Sequence, residues 1–206
     1  MYVQIVIGFL LICLSQAVGA EESAAGGPKQ TVDKLNSVLI DVMRNAKQLG
    51  YQGRYKKLDS VVRETHEFDA IAQIALGNHW KSLDQQQKKS FVQKLADLSV
   101  ATYAAQFNDY AGEEFKYESE QSVKPTRVTL RYALQAPKEK PVKFEYMLNQ
   151  SGGRWAIINI VVDGISDLAL KKAQYTSVID REGFDSLLNK LTQKINDYAA
   201  NNSKQG

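Results

Sequence analysis

The sequence is poor in the residues that form crosslinks, metal centres and phosphate-binding loops. It contains one cysteine, Cys13, so a disulfide scaffold within the chain is excluded. Its two histidines, His66 and His79, have no zinc-binding spacing around them, so we expect no metal site. The pair Gly152-Gly153 is typical of a hairpin turn and not of a phosphate-binding loop. These absences argue against metal and nucleotide chemistry.

Neither sign of charge is in large excess over the other. The 206 residues include 26 Lys+Arg and 23 Asp+Glu, a formal net charge of +3, and the basic residues form no long run. Composition therefore gives no indication of nucleic-acid binding, and we expect no nucleic-acid partner. With 44% hydrophobic and 24% charged residues, the chain is typical of one globular domain. A domain of this size buries roughly 70% of the surface of its unfolded chain.

Strongly apolar sequence is confined to the beginning of the chain. Residues 3–14 are almost entirely apolar, and small residues at 18–20 precede two glutamates. This pattern predicts a secretory signal peptide over residues 1–20, cleaved after Ala20. The alternative, an uncleaved membrane anchor, is disfavoured because the run is short of the ~20 residues that a spanning helix needs. Cleavage would remove Cys13 and place the mature protein outside the cytoplasm.

Four helices are predicted after the signal peptide. Residues 21–30 are small and polar and predict a flexible tether. Thr31 is expected to cap the first helix and Gly50 to end it. The segment from Ser82 to Gln85 has the pattern of a capping box for the long fourth helix. Apolar residues at helical spacing place the four helices at about residues 31–49, 55–66, 68–76 and 83–110.

Beyond the fourth helix the apolar period changes to two, which predicts four antiparallel strands. In the middle hairpin, placing Leu134 opposite Val142 also sets Arg131 opposite Glu145, so one register suits both faces. The last strand is apolar on both faces and is predicted to be covered on both sides. The same register sets Tyr132 opposite Phe144, Leu130 opposite Tyr146 and Val128 opposite Leu148. The strands are placed at residues 113–117, 128–134, 142–148 and 155–162.

Two more helices complete the predicted fold. Ser166 is expected to cap a helix over residues 167–182, and Gly183 separates it from a final helix that begins near Phe184. Residues 201–206 are polar and are predicted to form a disordered tail. The order of elements predicts an α+β fold in one domain over residues 31–200. It has N-terminal helices, a four-stranded antiparallel sheet and C-terminal helices.

No catalytic arrangement stands out in the sequence. Ser166 lies in a Gly-Ile-Ser-Asp segment that lacks the second glycine of a nucleophile elbow. Carboxylate pairs such as Glu113-Glu114 are typical of solvated surface. We therefore expect that the protein is not an enzyme. A lipid-modifying hydrolase or isomerase is the alternative, if distant residues converge in space.

Several short motifs occur in an order and spacing typical of one protein family. They are Phe68-x-x-Ile71-x-x-x-x-Leu76-Gly77-x-x-Trp80, then Phe91 and Tyr103, then Trp155-x-Ile157 and Asp163-Gly164-Ile165-Ser166. Together they resemble the MlaC family, also called the toluene-tolerance family, over residues 31–198. The segment 165–175 is similar to the hopanoid-associated HpnM branch. Asn159 stands where the family commonly has aspartate, so hydrogen bonding is kept there but an ion pair is not.

The resemblance implies a soluble periplasmic lipid carrier of Gram-negative bacteria, with an apolar cavity between the sheet and the helices. It implies phospholipid or hopanoid-type lipid as cargo, with no cofactor. The implied partners are the lipid-binding subunit of an inner-membrane ABC transporter and an outer-membrane lipoprotein complex. We expect the carrier to be a monomer.

Apolar and aromatic residues of the sheet and the helices are the candidates for contact with the lipid. Any one of them could instead belong to a packed core, because an apolar pattern does not distinguish a filled core from a pocket. A core packed throughout would favour a third function, an adaptor that binds envelope proteins through its surface. The candidates are Trp80, Phe91, Leu95, Leu98, Tyr103, Phe107, Leu130, Tyr132, Phe144, Tyr146, Trp155 and Ile157.

Overall fold

The structure is a computed structural model that describes residues 26–203. The predicted signal peptide, the first half of the predicted tether and the last three residues lie outside the described residues. The helices are α1 (Pro28–Arg44), α2 (Ala46–Thr65), α3 (Phe68–Leu76), α4 (His79–Ser82), α5 (Gln85–Gln106), α6 (Asp167–Glu182) and α7 (Phe184–Ser203). The strands are β1 (Glu114–Lys124), β2 (Arg127–Gln135), β3 (Val142–Ser151), β4 (Arg154–Val162) and β5 (Ile165–Ser166). The predicted α+β order of elements is confirmed.

The strands form one antiparallel sheet in the order β1-β2-β3-β4-β5. Four of them were predicted, and the fifth is a strand of two residues that pairs with the end of β4. It forms because Asp163 and Gly164 both adopt positive φ, 47° and 84°, which turns the chain back on itself within two residues. The predicted four-stranded sheet therefore has a short fifth strand that leads directly into α6.

The predicted register of the β2–β3 hairpin is confirmed at every pair. Leu134 lies opposite Val142, and the pairs continue to Val128 opposite Leu148. On the other face Arg131 lies opposite Glu145, with 3.2 Å between Nε and Oε2. The register is readable from sequence because a shift of one residue would move every apolar side chain of the strand to the opposite face.

The first two helices differ from the prediction. Helix α1 begins at Pro28, which suits the first turn of a helix because proline has no N–H to leave unpaired there. Thr31 therefore lies inside α1 and does not cap it, and its hydroxyl donates to the carbonyl of Trp155 at 3.2 Å. The helix ends at Arg44, before the predicted stop. Gly50, with φ 56°, instead kinks α2.

The capping box of the long helix lies two residues after the predicted position. The Asp84 carboxylate accepts from the Gln87 backbone N–H at 2.7 Å, and the Asp84 N–H donates to the Gln87 side chain at 3.0 Å. The prediction placed the box at Ser82, but Ser82 ends α4. The long helix α5 ends at Gln106, four residues before the predicted end.

The sheet is joined to α1 by two buried tyrosines. The hydroxyl of Tyr132 donates to the Asp33 carboxylate at 2.7 Å, and that of Tyr146 donates to the Asn36 side-chain oxygen at 2.8 Å. Each bond satisfies a phenol hydroxyl that would otherwise be buried without a partner. These contacts fix the distance between the sheet and the helical layer along α1.

The C-terminal helices were predicted correctly at their common boundary. The Ser166 hydroxyl accepts from the Ala169 N–H at 3.1 Å, as expected of an N-cap, and Gly183 separates α6 from α7. Helix α7 continues through Ser203 and so extends into the segment predicted to be a tail. The middle of β4 is covered on both faces, since the adjacent Ala156 and Ile157 are both buried, whereas the second half of the strand is half-buried.

Candidate functional site: an apolar cavity beside the sheet

A cavity of about 480 Å³ lies between β3, β4 and the helices α5 and α6. Its volume is within the range of small-molecule sites, ~300–1,000 Å³. Side chains from the sheet form one wall, and the C-terminal half of α5 with the start of α6 forms the other. The lining residues are Leu39, His66, Ile71, Ser99, Thr102, Tyr103, Gln106, Phe107, Phe144, Tyr146, Ile157, Ile158, Asn159, Ile160, Val162, Asp163, Ile165, Asp167, Leu168, Leu170 and Lys171.

Part of the lipid-contact set predicted from sequence lies in this cavity. The lining includes Tyr103, Phe107, Phe144, Tyr146 and Ile157. Helix α5 contributes Tyr103, and Phe107 directly follows the end of α5. Strand β3 contributes the next two residues and β4 the last. Their alternation with outward residues, or their helical spacing, already indicated that they face inward.

The other predicted contacts lie elsewhere. Phe91 packs in the core between α6 and α7. The centroid of its ring lies 5.9 Å from that of Tyr175 and 6.2 Å from that of Phe184. Trp80 lies near the surface under Lys88, whose Nζ is 5.6 Å from its ring. The residues of the predicted set that do not line the cavity are Trp80, Phe91, Leu95, Leu98, Leu130, Tyr132 and Trp155.

The start of α6 also forms part of the cavity wall, and the residues there were not among the predicted lipid contacts. Ile165 and Leu170 are 61% and 50% exposed, although both are large and apolar, and both line the cavity. The sequence did contain a signal for this wall, because the apolar residues Ile165 and Leu170 lie on either side of the helix cap Ser166. Ile165 and Leu170 form an apolar rim where the cavity meets the protein surface.

Charged groups lie at the same rim. Lys171 is on α6, and its Nζ is bonded to the Asp167 carboxylate one turn earlier. Asp163 also lines the cavity, and its carboxylate accepts from the Lys143 backbone N–H at 2.9 Å. The cavity therefore has an apolar interior and a polar edge, which is the distribution expected where an amphiphile is held at an interface with water.

Asn159 holds the start of α6 against the sheet. Its side-chain oxygen accepts from the Leu168 backbone N–H and from the Ser166 hydroxyl, each at 3.1 Å. One of the backbone donors left free at a helix N-terminus is satisfied in this way. Asn159 thus keeps the hydrogen bonding that an aspartate would provide at this position.

A neutral histidine lies in the wall of the cavity. His66 is 7% exposed, and its Nδ1 is 2.9 Å from the Val62 carbonyl, which can only accept. Nδ1 therefore carries the proton and Nε2 is an acceptor. The Tyr103 hydroxyl lies 3.3 Å from Nε2 and donates to it. Burial lowers the pKa of His66 to about 4, and it raises the pKa of Tyr103.

The lowered pKa of His66 predicts a loss of stability in acid. The pKa is 6.5 in the unfolded chain and about 4 in the folded protein, so the unfolded state binds the proton first as the pH falls. We expect this histidine to reduce the free energy of unfolding by up to about 3 kcal/mol between pH 6.5 and pH 4. Lys171 lowers this pKa further and Asp167 opposes it.

Urea unfolding at a series of pH values measures this effect. Carboxylates titrate over the same range, so the informative quantity is the difference between the native protein and His66→Gln. The native protein should lose more stability on acidification than His66→Gln does. His79→Gln is measured in parallel, because it makes the same substitution at a histidine that is only half-buried, beside Asp180. Identical pH profiles for the native protein and His66→Gln would contradict the burial of a neutral imidazole.

Two other features are absent from the described part of the chain. Between residues 26 and 203 no group of three or more histidine, cysteine or acidic side chains is placed to hold a metal ion. None of the described helices has the length and apolarity to cross a membrane.

Comparison with known proteins agrees with the fold and with the motifs. The model of the MlaC protein family matches residues 30–193. The intermembrane phospholipid transport system binding protein MlaC of Haemophilus influenzae is 23% identical over 173 residues, which cover 80% of this chain and 78% of the relative.

A solved structure has the same fold. It is the phospholipid-binding protein of Ralstonia solanacearum in complex with a phospholipid, and it superposes with a TM-score of 0.71 at 21% identity. The match covers 83% of this chain and 96% of the other. At this identity the likeness shows the fold. The family model spans most of the chain, and the resemblance found in the sequence motifs is confirmed: this chain belongs to the MlaC family.

Proposed function

We propose that this protein is a lipid carrier that holds the hydrocarbon of a phospholipid or a hopanoid-type lipid in the cavity between the sheet and α5 and α6. The observation that carries the proposal is the cavity itself, about 480 Å³ in volume with a mainly apolar wall. The phospholipid bound in the Ralstonia structure and the phospholipid transport system in the name of the Haemophilus relative support phospholipid as one cargo.

The cavity wall provides the binding energy without a charged contact. Each methylene group that leaves water is worth ~0.8 kcal/mol, so a hydrocarbon chain binds tightly through burial alone. Phe144, Ile157 and Ile160 supply the apolar surface, and the polar part of the lipid lies at the rim near Asp163 and Lys171. Because burial is not directional, the same wall can release its cargo to any site that is more apolar.

The proposed place of action is the periplasm. The predicted signal peptide over residues 1–20 would export the chain, and the mature carrier would exchange lipid between the inner and outer membranes. Its partners would be the lipid-binding subunit of an inner-membrane ABC transporter and an outer-membrane lipoprotein complex. The name of the Haemophilus relative, an intermembrane transport binding protein, supports this assignment.

We assign the cavity a binding role and no reaction. His66 is its most plausible base by residue type, but Nδ1 is bonded to a backbone carbonyl and Nε2 already accepts from Tyr103. The acidic groups lie at the rim, where Asp167 is paired with Lys171. Each group therefore has a structural role that does not require turnover of the lipid.

Extraction of lipid from the purified native protein tests the proposal. The protein is expressed with its own leader, purified from the periplasm without detergent, and extracted with organic solvent. Mass spectrometry should find lipid in near-equal amount to protein, and its identity will separate phospholipid from hopanoid. A periplasmic protein of similar size, purified in parallel, controls for adhering lipid. Lipid-free protein in repeated preparations would refute the carrier function.

A further inference from the structure

The hydroxyl groups in the cavity wall all donate to the protein. Four residues with hydroxyl groups line the cavity, two on the polar edge of α5 and two tyrosines. Because each proton is already engaged, the oxygens offer only lone pairs to a ligand. The bonds run from Ser99 to the Leu95 carbonyl at 2.9 Å, from Thr102 to the Leu98 carbonyl at 2.8 Å, from Tyr103 to His66 Nε2 at 3.3 Å, and from Tyr146 to the Asn36 side-chain oxygen at 2.8 Å.

Tyr103 is the one of these four groups whose hydroxyl proton goes to a histidine ring and not to a carbonyl or amide oxygen. The Val62 carbonyl holds the proton of His66 on Nδ1, so Nε2 must accept, and the Tyr103 hydroxyl is the donor that it has. His66 is buried, with 7% of its surface exposed, and the Tyr103 hydroxyl is the hydrogen-bond partner that the structure gives to its Nε2. The Tyr103 oxygen keeps a free lone pair, and Tyr103 lines the cavity.

This arrangement distinguishes polar groups on a lipid. A ligand hydroxyl can donate to the Tyr103 oxygen and extend the chain through His66 to Val62, and no protein group has to move. An ester carbonyl can only accept, so it would have to take the Tyr103 proton and leave the buried Nε2 without a donor. Leaving a buried acceptor unpaired is costly, which disfavours an ester at this position.

We propose that Tyr103 and His66 form a subsite for a hydroxyl group carried on the hydrocarbon part of a bound lipid. The inference rests on the proposed carrier function and narrows its cargo. It adds lipids with a hydroxylated apolar body, such as hydroxy-fatty acyl chains, to those that burial alone would bind. It also places the ester groups of a phospholipid away from Tyr103.

The test compares fatty acids that differ only in a hydroxyl group. The purified full-length mature protein is stripped of lipid, and stearic acid and a set of hydroxystearic acids with the hydroxyl at successive positions compete with a fluorescent fatty acid. We expect at least one hydroxystearic acid to bind about fivefold to tenfold more tightly than stearic acid. Extraction of phospholipid from vesicles of phosphatidylethanolamine and phosphatidylglycerol is measured with the same protein.

Two tyrosine variants identify the residue responsible. Tyr103→Phe removes the hydroxyl and keeps the ring, so the ratio of hydroxystearic acid affinity to stearic acid affinity, measured within the variant, should fall to about one. Tyr117→Phe, an exposed tyrosine of β1, is the matched control and should keep the preference. Circular dichroism and thermal unfolding establish that both variants are folded, and the ratio is measured within each variant.

Several results would overturn the inference. They are equal binding of all the acids by the native protein, a preference that survives in Tyr103→Phe, and binding of phospholipid without binding of any of the acids. If the protein extracts no phospholipid and binds no acid, the proposed carrier function fails and the subsite fails with it. Phospholipid extraction with no hydroxyl preference leaves the carrier function standing and removes the subsite alone.

Discussion

Ile160→Glu is expected to produce a folded protein that is purified with little or no lipid. Ile160 lies on β4, is partly buried and contributes to the cavity wall. A carboxylate there keeps its hydration shell, because transfer of a charge to an apolar site is far more costly than the gain from burying a few methylenes. We expect bound lipid per protein to fall by at least about tenfold, which corresponds to ~1.4 kcal/mol.

The matched control is Ile74→Glu. Ile74 is an isoleucine of α3 that is 39% exposed and does not line the cavity, so the same change in charge and volume is made outside it. Mass spectrometry of solvent extracts gives the lipid-to-protein ratio, and circular dichroism shows whether each variant is folded. Folded Ile160→Glu with a full complement of lipid would mean that the lipid lies elsewhere in the molecule.

Phe91→Ala is expected to have the largest effect on stability. Phe91 is fully buried and packs against Tyr175 of α6 and Phe184 of α7, so its ring joins three helices. Truncation of a buried phenylalanine removes the hydrophobic burial and leaves a cavity, and it costs about 3–5 kcal/mol. Urea unfolding measures the loss, and the lipid content of the remaining folded protein should be unchanged.

Phe144→Ala provides the comparison for the same truncation. Phe144 is half-buried in β3 and lines the cavity, beside Phe115 at 5.4 Å between ring centroids. Its removal enlarges a space that already exists, so the loss of stability should be smaller than for Phe91→Ala. The decrease in bound lipid should be larger than for Phe91→Ala. If Phe144→Ala instead lost more stability and Phe91→Ala lost more lipid, Phe91 and not Phe144 would border the lipid. The sequence pattern alone allowed that arrangement.

Short-range sequence patterns were sufficient to predict most of the fold. The register of the β2–β3 hairpin was predicted because apolar alternation and the pairing of Arg131 with Glu145 both require it. The boundaries of α6 were predicted because Ser166 and Gly183 are strong capping signals. In both cases the determining interactions join residues that are close in sequence.

The errors also have local causes. Ser82 and Asp84 both precede a glutamine at the spacing of a capping box, and the structure uses Asp84, while Ser82 is the last residue of α4. Similarly, both Asn45 and Gly50 can interrupt a helix, and the structure uses Asn45 to end α1 and Gly50 to kink α2. Where two equivalent signals compete, contacts with the rest of the domain select one.

The amino-acid sequence by itself determined the α+β order of elements, the central hairpin register and membership of the MlaC family, since each rests on periodicity, capping or ordered motifs. Only the tertiary structure decided which inward-facing residues border the cavity. Phe91 and Tyr103 both lie on the inward side of α5, yet Phe91 is covered by α6 and α7 and Tyr103 faces open space. Helical spacing gives the direction of a side chain, whereas the distance to the next layer depends on how several remote elements pack together.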